Sequence, residues 1–150
     1  MPRLHTTHFG TLDYEESGVL LFEQGLPAFE SEREFVVVER PESAPVVFLQ
    51  SLRNPELVFV TLPVQTVDPG YVPAIAHEDL EALGLDPTRQ PEEGREALLL
   101  LIVTIGDGGA PEATANLMAP VVINLATRRA LQALQPSSGY SARHPLRAPG

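Results

Sequence analysis

The sequence predicts a mainly β fold, an antiparallel barrel-like single domain over residues 1–150 with one short helix at about residues 76–83. Three observations predict it. Apolar residues come in short runs of β-branched and aromatic side chains bounded by Gly, Pro, Asn and Asp, the pattern of packed strands. A convincing helix appears only once, which excludes repeated βαβ winding. The 150 residues, 43% hydrophobic and 20% charged, suffice for one buried core and are too apolar for disorder.

The elements follow in order. His5–Leu12 and Val19–Phe22 read as strands around the polar turn Asp13–Gly18. Gln24-Gly25-Leu26-Pro27 is a tight turn, with Gly free to take positive φ and Pro preset for a bend. Glu34–Glu39 is a strong strand, broken by Pro41–Pro45. Val46–Gln50 and Leu57–Thr61 are further short apolar strands. The helix has Glu78, Asp79 and Glu81 near its start, where the helix dipole favours anions. Leu80 and Leu83 share one of its faces, Gly84 suits the position just past its end, and Asp86-Pro87 stops continuation. Residues 86–96 form a polar loop with a helical turn at Pro91–Arg95. Ala97–Ile105 is a long, fully buried strand, and Gly106-Asp107-Gly108-Gly109 carries hairpin chemistry.

The stretch Thr114–Asn124 then returns as the partner strand. Pro120 donates no backbone N–H, so two strands joined at a kink are expected there. Asn116 and Asn124 are expected to fix the bend and the strand exit rather than to bind a ligand. Thr127–Arg129 is a turn and Ala130–Leu134 a last strand, and residues from about 136 to 150 form an extended C-terminal tail.

Composition limits the chemistry. There is no cysteine, hence no disulfide and no thiolate metal site or nucleophile. The histidines of His5-x-x-His8 would face opposite sides of a strand and cannot converge on a metal. Gly106-x-Gly108-Gly109 opens onto a proline and a strand, not onto the helix a phosphate cradle needs. No nucleophile-elbow or zinc-protease motif occurs. No cofactor, metal or catalytic residue is expected. The first sixty residues carry ten acids against four arginines and the next sixty ten against two, whereas the last thirty carry four arginines and no acid. A body with net charge −10 repels phosphate backbones, so no direct nucleic-acid ligand is expected, and it favours a basic partner. The start, Met1 to His8, lacks a signal peptide's apolar core, and the longest apolar run, Ala97 to Val103, is far short of the roughly 20 residues of a membrane helix. A soluble cytoplasmic protein without membrane contact is the expectation. Two surface readings stay open: the acids at the helix start are a solvated face or a docking patch, and Tyr71, in Pro69–Pro73, is a core filler or a partner anchor.

Five segments occur together in a telling order: Phe22-x-x-Gly25-Leu26-Pro27-x-Phe29-Glu30, Phe48-Leu49-Gln50-Ser51, Pro69-x-Tyr71 before the helix, Thr114–Asn124 with Asn116, Leu117, Ala119, Pro120 and Asn124, and Tyr140-Ser141-x-Arg143-His144-Pro145-Leu146. Together they resemble the flagellar assembly factor FliW family over about residues 8–147. Two positions depart from the family pattern: Ala28 and Ala130 stand where glycine is usual, at a cost if the backbone there needs positive φ. The resemblance implies a β-barrel-like fold, no catalysis and two cytoplasmic protein partners. These are flagellin and CsrA, an RNA-binding repressor of flagellin translation. It further implies partner switching, in which flagellin draws the protein away from CsrA. On this reading Gly25, Leu26, Pro27, Gln50, Ser51, Arg143, His144 and Pro145 are structural motif positions, and Tyr71, Glu78, Asp79 and Glu81 help dock CsrA. The competing reading is a β-barrel chaperone or binding module for another exported subunit.

Overall fold

The computed structural model describes residues 2–105 and 113–146. Its framework is one antiparallel sheet. The strands are β1 (Arg3–Thr6), β2 (Gly10–Asp13), β3 (Leu20–Leu21), β4 (Glu34–Glu39), β5 (Val47–Ser51), β6 (Val58–Pro63), β7 (Ala97–Thr104), β8 (Thr114–Ala115), β9 (Val121–Asn124), β10 (Ala130–Gln132) and β11 (His144–Pro145). The main sheet runs β10-β9-β7-β6-β5-β4-β3, β8 pairs both β7 and β11, and β1-β2 form a separate hairpin. The two ends of the main sheet meet at one parallel bridge, Leu21 with Arg129, and no ladder joins them among the described residues. The mainly β, barrel-like expectation therefore stands, with a seam that is touched and not zipped. The expected Gly106–Gly109 hairpin lies outside the described residues.

Two departures from the sequence reading have local causes. His5–Leu12 is not one strand but two halves of a hairpin. Gly10 takes φ 67°, and the Thr6 hydroxyl accepts from Phe9 N–H and donates to the Gly10 carbonyl, which closes the turn. The hairpin then sets Phe9 against Phe48 at 5.1 Å, covering the outer face of β5. The helix at 76–83 is present as His77–Ala82, but a one-turn helix at Val64–Val67 precedes it. Those two helices are α2 and α1. Val64 and Val67 are β-branched, so propensity gave no helix signal, and tertiary packing of Val64 won.

β7 shows why its run of leucines is unbroken. Leu99 and Leu101 face a core shared with Val64, Tyr71, Leu80 and Leu83, while Leu100 faces a second core with Phe22, Phe35, Leu49 and Val121. A strand buried on both faces has no polar side to present. The first core lies under the helical segment and the second inside the curl of the sheet.

The polar loop 86–96 is fastened by its own charges. Arg89 donates to both carboxylate oxygens of Glu96, at 2.7 Å each, and Glu92 N–H adds a third bond at 2.9 Å. The Arg89 hydrogen bonds and the Glu92 amide lower the Glu96 pKa from 4.5 to about 2. A depressed folded-state value means that this stabilisation is complete above the unfolded value and disappears as pH falls through the folded one. Glu96→Gln is therefore expected to be less stable than the parent at neutral pH, with the gap narrowing as pH drops from 4.5 to about 2. Denaturant titrations of both proteins across that window check it. A constant gap would show that the pair contributes nothing through charge.

Candidate functional site

The stretch 114–124 pairs with β7 in two pieces, β8 on Val103–Thr104 and β9 on Ala97–Leu100, with a bulged joint between them. Asn116 shapes the joint. Its Oδ1 accepts from Met118 N–H at 3.1 Å and Ala119 N–H at 3.0 Å. Each carbonyl from Leu117 to Pro120 then receives a donor. Tyr71 Oη donates to Leu117 O at 2.7 Å, Gln135 N–H to Met118 O at 2.8 Å, Gln132 Nε2 to Ala119 O at 2.9 Å and Ala133 N–H to Pro120 O at 2.8 Å. Pro120 sits where no N–H is required. Asn124 closes the strand: Nδ2 donates to Leu83 O at 2.7 Å and Oδ1 accepts from Ala126 N–H at 2.9 Å. The bend and the strand exit are thus built by these two asparagines.

Tyr71 belongs to this joint and not to a partner surface. It is 6% exposed, its hydroxyl accepts from Gln135 Nε2 at 2.8 Å, and its ring stacks on Tyr140 at 4.4 Å. Burial raises its pKa. The expectation that it anchors a partner is corrected: a side chain with its polar tip spent on Leu117 offers nothing outward. Residues 140–146 are tied to the same region. Tyr140 Oη accepts from Val72 N–H, His144–Pro145 pairs with β8, and Leu146 packs on the first core. Arg143 is exposed, and its amide is held by the Ser141 hydroxyl.

Gln50 and Ser51 fasten the end of β5. The buried Gln50 amide donates to the carbonyls of Ser51, Asn54 and Pro55. Ser51 Oγ donates to Glu32 at 2.8 Å and accepts from Asn54 N–H at 3.0 Å.

A groove of about 410 Å³ lies between the turn 23–30, α2 and β10. Gly25 and Pro27 line it from the turn, Asp79 and Leu83 from α2 and its C-terminal end, and Leu131 and Gln132 from β10. Gly25 has φ 66°, and Leu26 drops into the second core, 1% exposed. Ala28, at the family's glycine position, does take positive φ, 69°, whereas Ala130 does not: it is paired with Ile123 in β10, and the left-handed residue nearby is Arg128. Because Ala28 is exposed, its strain is conformational only. Ala28→Gly is expected to raise stability by about 0.5–1 kcal/mol, left-handed relief outweighing the added freedom of the unfolded chain. Thermal melts compare the two proteins, and a lower Tm would refute it.

Of the three acids at the helix start, only Asp79 lines the groove. Glu78 is exposed, and the exposed Glu81 binds His77 Nε2 at 2.6 Å. Glu78 and Glu81 share one helix face at i, i+3, whereas Asp79 is turned to the side that lines the groove, so the three are not one patch. Desolvation, with the Glu78 charge second, raises the Asp79 pKa. Glu23 pairs with Arg129 at 3.3 Å in the groove lining. Sequence reasoning missed Glu23, Glu30, Arg129 and Gln132 as groove residues. Glu23 and Glu30 stand about a hundred positions from Arg129 and Gln132, and nothing local in the sequence says that the fold brings the two pairs together. Among the described residues no group of three or more His, Asp or Glu side chains could hold a metal.

Fold and groove together define a small antiparallel β protein with a helix-flanked surface cleft. The chain belongs to the FliW family: the description FliW protein matches residues 3–146. It is 35% identical over 147 residues to the flagellar assembly factor FliW of Syntrophomonas wolfei, covering 98% of this chain and 90% of that protein. It is 37% identical over 144 residues to the flagellar assembly factor FliW of Moorella thermoacetica, covering 94% and 85%. A crystal structure of the flagellar assembly factor FliW superposes with a TM-score of 0.82 at 30% identity, over 99% of each chain.

Proposed function

We propose that this chain is a cytoplasmic flagellar assembly factor that works by binding and not by catalysis. Its partners are flagellin and the translational regulator CsrA, and it couples flagellin synthesis to export by exchanging one for the other. The observation that carries this reading is the match to FliW over nearly the whole chain, with relatives that are themselves flagellar assembly factors. The acidic balance supports it, since an RNA-binding regulator is basic and opposite charge speeds encounter. Exchange follows from mass action: accumulated flagellin occupies the shared component and leaves CsrA free.

Co-purification tests the reading. The full chain is expected to retain purified flagellin and CsrA separately, but not an unrelated exported subunit, and flagellin is expected to displace CsrA. A stable ternary complex would overturn exchange, and failure to hold either protein would overturn the assignment. The acids of α2 supply a second test. Replacing Glu78, Asp79 and Glu81 together by arginine is expected to weaken CsrA binding by about tenfold or more. Unchanged affinity would remove α2 from the docking surface.

A further inference from the structure

The seam of the sheet leaves one strand edge open. β3 and β10 touch at Leu21 and Arg129, through Leu21 N–H to Arg128 O at 2.9 Å, and then part. β10 continues to Gln132, while the chain after Leu21 turns away into residues 22–30. β10 spends its odd positions on β9: Asn124 N–H donates to Arg129 O and Ala133 N–H to Pro120 O, both at 2.8 Å. Alternation along an antiparallel ladder therefore turns the backbone groups of Ala130 and Gln132 to the other side. At Gln132 they face the groove and find no backbone partner among the described residues.

Unpaired strand edges are normally covered or blunted because they recruit other strands. This one is short and lines a cleft, which restricts what reaches it. The charge of the cleft is selective too. Glu23 is neutralised by Arg129, whereas the Asp79 carboxylate has no side-chain partner among the described residues and stands half-buried on the wall. Leu21, 37% exposed, adds an apolar step beside it.

We propose that the groove takes an extended segment of a partner protein as an added strand on the Gln132 edge of β10, with an arginine or lysine of that segment against Asp79. Main-chain bonds would supply affinity and the alternate side chains selectivity. The inference rests on the groove and its edge and not on which proteins the chain serves.

The test uses the full chain. A phage-displayed library of random peptides is panned on it, and the enriched peptides are synthesised. Expected sequences alternate apolar with polar residues and contain arginine or lysine. Reversing that basic residue to glutamate, or Asp79→Arg in the protein, is expected to weaken binding by about tenfold or more. One-sided pairing has its own signature. Methylating the peptide backbone at every second nitrogen should abolish binding in one register and leave it in the other. The amide resonances of Ala130 and Gln132 should shift on titration. No enrichment over uncoated support, consensus peptides without a basic residue, indifference to Asp79→Arg, or equal tolerance of both methylation registers would each overturn the proposal. So would concentration-dependent dimers of the chain itself that protect this edge, since the occupant would then be a second copy.

Discussion

Asn124→Ala is expected to lower the unfolding free energy by about 3 kcal/mol, the sum of two buried polar groups losing a partner. Asn124 is 4% exposed, so water cannot replace what it supplies. Its Nδ2 donates to Leu83 O, a carbonyl at the end of α2 with no helical partner of its own, and its Oδ1 holds Ala126 N–H in the turn that leads to β10. One amide thus joins the helix to the sheet and starts the next strand. For a chain of this size the loss corresponds to a fall of about 8 °C in Tm. Asn124→Asp separates the two halves: the acceptor survives, but a carboxylate cannot donate to Leu83 O, so most of the loss should remain. Hydrogen exchange gives an independent readout. The amides of α2 are expected to open more readily in Asn124→Ala, because the helix loses its tie to β9. A loss below about 1 kcal/mol with normal protection of α2 would mean the helix is held by Leu80 and Leu83 packing alone.

The strands were legible where physics is local. Short β-branched runs such as Phe35–Val38 and Val121–Ile123 demand a pleated packed surface whatever their partners, and both are strands. Pro120 announced a break between paired segments, and the joint appears where its missing N–H does no harm. The bonds that hold the joint were not legible. Tyr71, Gln132 and Gln135 reach Leu117, Ala119 and each other across separations that only the folded chain brings together. The same limit hid the groove. Asp79 was visible as an acid near a helix start, but its difference from Glu78 and Glu81 depends on which helix face meets the turn 23–30 and β10. Burial of Tyr71 likewise depends on Tyr140, sixty-nine residues later. Residue type marked these positions as consequential, and topology decided their work.

Gly25→Ala is expected to cost about 3 kcal/mol or more and to reshape the groove wall. Two effects add. The backbone at Gly25 has φ 66°, where an alanine pays about 1–2 kcal/mol for its Cβ. That Cβ would also lie 2.5 Å from the Glu30 carbonyl oxygen and 2.6 Å from its Cα. Both are backbone atoms, so no side-chain rotation relieves the contact and the turn itself must move. The turn has little freedom, because Leu26 fills the second core and Phe29 N–H is bound to Leu26 O at 2.7 Å. Ala28, three residues on, shows the contrast: the same left-handed conformation with an exposed Cβ is tolerated. The two positions should therefore respond in opposite directions, Ala28→Gly stabilising and Gly25→Ala destabilising. Combining them should recover no more than the Ala28→Gly gain, since the Glu30 contact remains. Because the moved turn is one wall of the groove, Gly25→Ala is also expected to weaken any strand held along β10, measured on the folded fraction well below its Tm. A Gly25→Ala protein as stable as the parent would show that the turn yields easily, and the groove could then not be treated as a preformed cleft.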